Sequence, residues 1–510
     1  MGSRGTPVSR RDIFHGLLGA PLLLSRAEAQ VTPEILRFRP EIEPLVGLIE
    51  TTPRERCAEM AVGELRRGVS YRQFLGALFL AGIRNINPRP PGFALHSVFV
   101  IHSAHLLSLE APADSRLLPL FYALDNFKAA QERDAKQASG DYTMRPLQGS
   151  LPAGGRAAAE FSAAMEAWDA ERAERAVVAL ARHRSAPEAF GLLWRYGARD
   201  YRNIGHKAIF VANASQTLHA IGWQHAEPVL RSLVLALLDF GRQQQVNGYA
   251  LDDQCWGGNL KRLRESFARL PDSWVGHQAD PEATRGMLRA IREATPEEAC
   301  ADVAARLLKG QANAAAVWDA VHLAAAELRM RARAGAALVA IHAVTSANGL
   351  HHSYIAASDP QDRFLLLLQA AGWMGQFRAF AGAREENLRA FPITEMEPGS
   401  ETAPLERALE ATFAEIPSKP QAAAARVFGW GRDLAARQAF LSAALRFTAA
   451  RANEVHYYKY LAALIEDLPL VSPDWQPHVL AAAPYYLKGS GDPEPAPMKR
   501  AREALRALAG

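Results

Sequence analysis

Apolar residues recur every three or four positions along most of the chain, with charged residues between them. The pattern is clearest in RERCAEMAVGELRRG (54–68), AAAEFSAAMEAWDAERAERAVVALARH (157–183), EEACADVAARLLKG (297–310) and MKRAREALRALAG (498–510). This spacing is typical of amphipathic helices, and Ala, Leu, Arg and Glu are good helix formers. Because strand-like alternation is scarce, the pattern predicts an all-α protein.

The helical pattern repeats weakly three times. Each copy begins with an amphipathic helix, near 55–68, 171–184 and 297–309, and continues with a second helix. An apolar helix that bears histidine follows, HSVFVIHSAHLL, HKAIFVANASQTLH or HAVTSANGLHH, and then a further apolar helix. Since repeated hairpins bury their apolar faces against one another, we predict a multi-helical bundle of three hairpin units around a central cavity lined by histidine.

The N-terminal segment departs from this pattern. Residues 9–14 read Ser-Arg-Arg-Asp-Ile-Phe, and GLLGAPLLL and the small-x-small sequence Ala27-Glu28-Ala29 follow. This order is typical of a twin-arginine signal peptide, so we expect residues 1–29 to direct export, to the periplasm or otherwise out of the cytoplasm. Residues 30–510 are predicted to form a single helical body, and a C-terminal lobe over 404–510 remains an open alternative.

Composition narrows the classes of partner. The 510 residues are 49% hydrophobic, which is enough for a large core, and Lys+Arg 58 against Asp+Glu 54 gives a formal charge of +4. The basic residues are scattered among carboxylates, so we expect no binding to nucleic acid. After the N-terminal segment no run of 18 apolar residues lacks both charge and histidine, so we expect no membrane span in the mature chain.

Histidines on otherwise apolar helices are the strongest chemical signal. At about 100° per residue, His102 and His105 lie about 60° apart on one helix, whereas His96 lies about 120° from His102. We therefore predict that His102 and His105 face one site with His206 and His342, and that His96 points elsewhere. At every position the alternative is an ordinary core imidazole bonded to the backbone.

Such a set of imidazoles without thiols suits iron, copper or zinc. The three cysteines are widely spaced and form no C-x-x-C pair, and G-x-S-x-G, a phosphate-binding loop, a dinucleotide fingerprint and H-E-x-x-H are all absent from the sequence. Metal-dependent redox chemistry is therefore favoured over nucleophilic catalysis.

Four segments resemble, in chain order, the histidine motifs of the questin oxidase-like family: HSAHLL, IGHKAIFVANASQTL, IHAVTSANGL and NEVHYYKYLAAL. The resemblance implies a helical oxygenase that uses non-haem iron and O₂ on an aromatic, phenolic or quinone-like substrate. It also implies the ligand set His102, His105, His206, His342 and His456, with Lys459 nearby as a catalytic candidate. The sequence departs from the family pattern near Phe210, where the family has a histidine. It also departs before His456, where the family's acid is either replaced by Asn453 or displaced to Glu454.

Aromatic residues offer a possible surface for a flat substrate, and we name Trp223, Trp256, Tyr354 and Trp373 as candidates. The alternative is that these rings are core. Two other functions stay open at this point. One is a non-catalytic helical-repeat protein that binds a partner or small ligand, and the other is a haem or copper protein, because axial imidazoles would look the same in sequence.

Overall fold

A computed structural model describes residues 34–113, 115–136, 142–241, 255–383, 387–399 and 403–509. The predicted signal peptide lies outside the described residues. Within them the chain forms α-helices and short 3₁₀ helices, and the only β feature is an isolated bridge between Ala332 and Leu388. The prediction of an all-α, multi-helical bundle is confirmed.

The first half of the described chain contains helices α1 (Glu43–Thr51), α2 (Cys57–Arg66), α3 (Tyr71–Asn85), α4 (His96–Glu110), α5 (Leu118–Asp134), α6 (Ala157–Ala167), α7 (Ala170–His183), α8 (Ala186–Gly191), α9 (Trp194–Ala198), α10 (His206–Ile221) and α11 (Ala226–Leu237). The second half contains α12 (Trp256–Ser266), α13 (Pro281–Glu293), α14 (Pro296–Leu308), α15 (Ala314–Arg331), α16 (Ala337–Ala356), α17 (Pro360–Ala381), α18 (Leu405–Glu415), α19 (Pro420–Trp430), α20 (Leu434–Arg451), α21 (Val455–Asp467), α22 (Gln476–Ala481) and α23 (Ala496–Ala509).

Four helices form a closed ring at the centre of the molecule. Helix α4 packs against α10, α10 against α16, α16 against α21, and α21 against α4. An outer helix covers each of them: α5, α11, α17 and α20 respectively. The ring helices are buried over most of their surface, which explains why their sequences are apolar on nearly every side.

The third helix of each predicted repeat supplies a ring helix, namely α4, α10 and α16. The fourth ring helix, α21, comes from a further helical hairpin with α20 that the sequence repeat did not reveal. Helix α23 packs against α2 and α5, near the start of the described chain. The segment after 404 therefore contacts the preceding helices through both α21 and α23.

The four ring helices run in the same direction. Further along these helices, Asn213 of α10 donates a hydrogen bond to the Phe99 carbonyl of α4 (3.3 Å). Asn348 of α16 donates one to Glu466 of α21 (3.0 Å). One stretch, Phe93–Glu110, is long and apolar enough to cross a membrane by length and composition alone, and most of it is buried in the fold.

A glycine fixes the start of α10 against α16. Gly205 has a φ of +80° immediately before His206, and a side chain at this position would overlap Ser346 of α16. A residue with a Cβ would therefore meet both backbone strain and a steric clash.

We expect Gly205→Ala to destabilise the protein by about 2–4 kcal/mol, since left-handed backbone and overpacking each cost about 1–3 kcal/mol. Gly310→Ala is the matched control, because Gly310 also has a positive φ (+64°) but open space around it. Urea unfolding of both variants measures the difference, and equal losses of stability would contradict the steric part of the argument.

Candidate metal centre

Four imidazoles, one from each ring helix, meet where these helices begin. The Nε2 atom of His206 lies 3.0 Å from Nε2 of His96 and 3.0 Å from Nε2 of His342. The Nε2 atom of His456 lies 3.2 Å from that of His96. We call these four residues the four-histidine centre. The ligand atoms of three of them, His96, His342 and His456, lie within 4.8 Å of one another, so this group could hold a metal ion.

Every imidazole of the centre uses its other nitrogen to contact an oxygen. The Nδ1 atoms of His96, His206 and His342 face the backbone carbonyls of Phe93 (3.0 Å), Asn203 and Leu338 (2.7 Å), and Nδ1 of His456 faces a carboxylate oxygen of Glu454 (2.6 Å). A carbonyl or carboxylate oxygen can only accept, so each Nδ1 carries the hydrogen. In the neutral ring this leaves an unshared electron pair on each Nε2, and each of these atoms lies within 3.2 Å of at least one other Nε2 of the centre.

This arrangement matches the surroundings of protein metal ligands, whose free ring N–H normally bonds a carboxylate or a backbone carbonyl. Metal–imidazole bonds of about 2.1 Å place two adjacent nitrogen ligands roughly 3.0–3.4 Å apart. The Nε2 separations of 3.0–3.2 Å fall in that range. An ion at the centre would thus need little rearrangement of the side chains.

Electrostatics keep the imidazoles neutral. Burial lowers the pKa of His96, His206 and His342 well below its usual value, and the positive charge of Lys459 together with the neighbouring imidazoles lowers it further. Burial by itself would raise the pKa of Glu454, but hydrogen bonds from His456 and from Tyr486 hold it below its usual value. The centre therefore combines three imidazoles that stay neutral, those of His96, His206 and His342, with an ionised carboxylate of Glu454 next to His456.

Lys459 is the nearest positive group. It lies one turn after His456, its Nζ is 5.2 Å from the centre of the Phe99 ring, and this Nζ is buried without a hydrogen-bond partner among the described residues. Burial lowers the pKa of Lys459 to about 7. An unpartnered amine next to the centre can donate a hydrogen bond to an anionic ligand.

The centre lies close to the surface on the side of the segment that precedes α4. His96 is partly exposed, Phe93 is 59% exposed, and Gly92 at a φ of +128° brings the backbone against the ring of His206. On the inner side Phe99 stacks on His206 (5.9 Å) and contacts Phe210 (5.2 Å). Access is therefore expected past Phe93.

The structure corrects the predicted positions of His102 and His105. His102 lies outside the four-histidine centre, with its Nε2 3.2 Å from Glu466, and His105 contacts the hydroxyl of Tyr71 at 3.1 Å. Helical phase correctly separated these two residues from His96, but it did not tell which side of α4 faces the ring. Of the other predicted ligands, His206, His342 and His456 do meet.

His96 is the residue that sequence reasoning set aside. It begins α4 just as His206 begins α10, so its ring points back from the helix end into the space between the helices. The signal was present in the sequence, because the three repeated apolar segments all start with histidine. Aligning these first histidines would have selected His96.

The four aromatic candidates take other positions. Trp373 packs edge-on against Tyr201, and Trp223 packs against Phe190. Trp256 begins α12, which packs against α14 and α17, and Tyr354 packs against Trp318. Their assignment as substrate-binding residues stays a prediction from the sequence. Phe99 and Phe93 are the aromatic residues beside the centre.

Comparisons of the chain with known protein families, with curated proteins and with solved structures find no match. The resemblance to the questin oxidase-like family stays a prediction from its short motifs.

The buried amine makes a testable contribution to stability. Since the folded state lowers the pKa of Lys459 to about 7 from about 10.4 in the unfolded chain, the unfolded chain binds more protons between these values. Metal-free protein should gain stability from Lys459 deprotonation as the pH rises from about 7 to 10, by a few kcal/mol.

Lys459→Met should remove that gain, whereas Lys261→Met, at an exposed lysine, should keep it. Urea unfolding at each pH measures both, and equal pH slopes would contradict the argument.

Proposed function

We propose that the protein is an exported oxidoreductase in which the four-histidine centre binds non-haem iron and supports oxygenation of an aromatic, phenolic or quinone-like small molecule. The observation that carries the proposal is the convergence of four Nε2 electron pairs, each fixed by an Nδ1–H bond to an oxygen. Without a cation or added protons, these electron pairs would repel one another in a largely buried site.

Bound iron would supply the redox chemistry for O₂, and the chain would supply ligands and surroundings. His96, His206, His342 and His456 would hold the ion, while Phe93 and Phe99 border it. Lys459 would donate a hydrogen bond to a negatively charged oxygen of the substrate. The starts of the ring helices add partial positive charge, which also favours an anionic ligand such as a phenolate.

Elemental analysis distinguishes iron from the other metals that the centre could bind. Copper and zinc also accept imidazole ligands, so the identity of the ion rests on analysis of the protein. Haem fits less well, because two imidazoles on opposite faces of a porphyrin are separated by the two metal bonds, about 4 Å, and neighbouring Nε2 atoms here are 3.0–3.2 Å apart.

Metal content tests the centre. Full-length wild-type protein and its variants are stripped with a chelator and reloaded anaerobically with Fe²⁺. His206→Ala and His342→Ala should each bind one ion per chain fewer than the wild type, because each change removes a ligand. His105→Ala is the matched control, since it also removes a half-buried imidazole but outside the centre. Metal analysis after gel filtration measures the content. Equal metal in all variants would overturn the assignment.

Oxygen uptake tests the reaction. Iron-loaded protein should consume O₂ with members of a panel of catechols, naphthols and hydroxyanthraquinones, and His342→Ala should lose at least about 100-fold of that rate, since loss even of an outer contact to a metal ligand costs about 10–100-fold. His105→Ala should retain it. Iron-loaded protein that consumes no O₂ with any member of the panel would contradict oxygenation.

A second candidate function is non-catalytic binding of a small ligand or partner by the helical scaffold. It is favoured by a surface cavity of about 410 Å³ between α1, α3 and the end of α10. None of the four histidines of the centre lines this cavity. A protein that binds its metal but shows no oxygen uptake would support this candidate.

A further inference from the structure

A second group of buried imidazoles and carboxylates lies further along the same ring. His322 of α15, His351 of α16 and Asp467 at the end of α21 are all buried, and each offers a ligand atom within 4.8 Å of the other two. We call these three residues the Asp467 cluster. It shares no residue with the four-histidine centre.

Within the Asp467 cluster the two imidazoles contact each other, but the carboxylate does not bond to either of them. Nε2 of His322 lies 2.8 Å from Nδ1 of His351, which is the distance of two nitrogens that share a proton. It is slightly shorter than the separation of two nitrogen ligands on one ion, so a bound ion would move the rings a little apart. The Asp467 carboxylate lies 3.6 Å from Nδ1 of His322, too far for a good hydrogen bond. The carboxylate is thus close to the imidazoles without being bonded to them.

Surrounding side chains fix the members of the cluster. Asn348 donates a hydrogen bond to one oxygen of Asp467 (2.9 Å) and leaves the other oxygen facing His322. Trp318 stacks flat on His351, with ring centres 4.1 Å apart and planes at 6°. Orientation of a carboxylate and an imidazole by such neighbours is typical of metal ligands.

Two adjacent carboxylates, those of Glu466 and Asp467, determine the charge around the cluster. Glu466 and Asp467 are adjacent, and Glu466 accepts hydrogen bonds from Gln216 (2.6 Å) and Asn348 (3.0 Å) and contacts His102 (3.2 Å). In the described part of the chain, the basic groups within 4.0 Å of these two carboxylates are imidazoles, with no lysine or arginine among them. Burial and the charge of Glu466 raise the pKa of Asp467 well above its usual value. Two adjacent charges away from water are costly, so Asp467 holds a proton unless a cation takes its place.

We propose that His322, His351 and Asp467 form a second metal site, for a divalent transition-metal ion such as Zn²⁺ or Co²⁺. The ion takes the position between Nε2 of His322 and Nδ1 of His351. The Asp467 carboxylate, which in the metal-free protein faces the opposite ring nitrogen of His322, turns toward the ion as the third ligand. It ties α15 to α16 and α21, two of the ring helices that also carry the four-histidine centre. The proposal does not depend on the oxygenase function.

Titration with Co²⁺ tests the site. Metal-free full-length protein should bind two ions per chain, and His351→Gln and Asp467→Asn should each bind one. His342→Ala should also bind one, at the Asp467 cluster, and His342→Ala combined with His351→Gln should bind none. His105→Ala should keep both ions. Two ions in both His351→Gln and Asp467→Asn, or a single wild-type ion that His342→Ala removes, would overturn the second site.

Fluorescence locates the second ion. Because Trp318 stacks on His351, Co²⁺ bound at the Asp467 cluster should quench the emission of Trp318. The quenching caused by this ion should persist in His342→Ala and vanish in Trp318→Phe and His351→Gln. Quenching that survives in His351→Gln would overturn the assignment. Circular dichroism checks that each variant is folded, and His351→Gln decides the matter should Asp467→Asn not fold. Wild-type protein that binds no ion would overturn both metal sites, whereas loss of the second alone leaves the first intact.

Discussion

Four imidazole electron pairs that face one another at the start of four helices are the constraint on which the centre of this molecule depends. The Nε2 atoms lie 3.0–3.2 Å apart, and backbone carbonyls or a carboxylate fix each ring from behind. Such an arrangement requires four helices that run in the same direction and bring their first or second turns to the same level. The closed ring of α4, α10, α16 and α21 provides this geometry, and the outer helices hold the ring in place.

The same geometry sets the charge of the centre. Helix starts carry partial positive charge, and Lys459 adds a buried amine nearby. Both disfavour imidazolium, in agreement with the lowered pKa of His96, His206 and His342. The same positive groups also repel a bound cation. The ionised carboxylate of Glu454, next to His456, partly offsets that repulsion. A further anionic ligand would complete the balance, which is the physical basis for proposing a phenolate-like substrate.

Polar chemistry continues along the ring below the centre. Asn213, Asn348, Gln216 and Glu466 connect the ring helices by hydrogen bonds within an otherwise apolar interior. Buried polar contacts of this kind are stable only where partners are matched, so they restrict the helices to one register. The Asp467 cluster lies at the edge of this network, where imidazoles are the basic groups available to two carboxylates. The core therefore contains two separate groups of histidines at different levels along the ring.

The sequence by itself determined the helices, their threefold repetition and the histidine-bearing apolar segments, because amphipathic periodicity and local propensity are properties of short stretches. It also identified His206, His342 and His456. Only the tertiary structure decided between His96 and the pair His102 and His105, since helical phase gives the angle between side chains but not which direction faces the axis of the ring. The fourth unit, built by α20 and α21, was likewise settled by packing, because shape rather than residue identity relates it to the others.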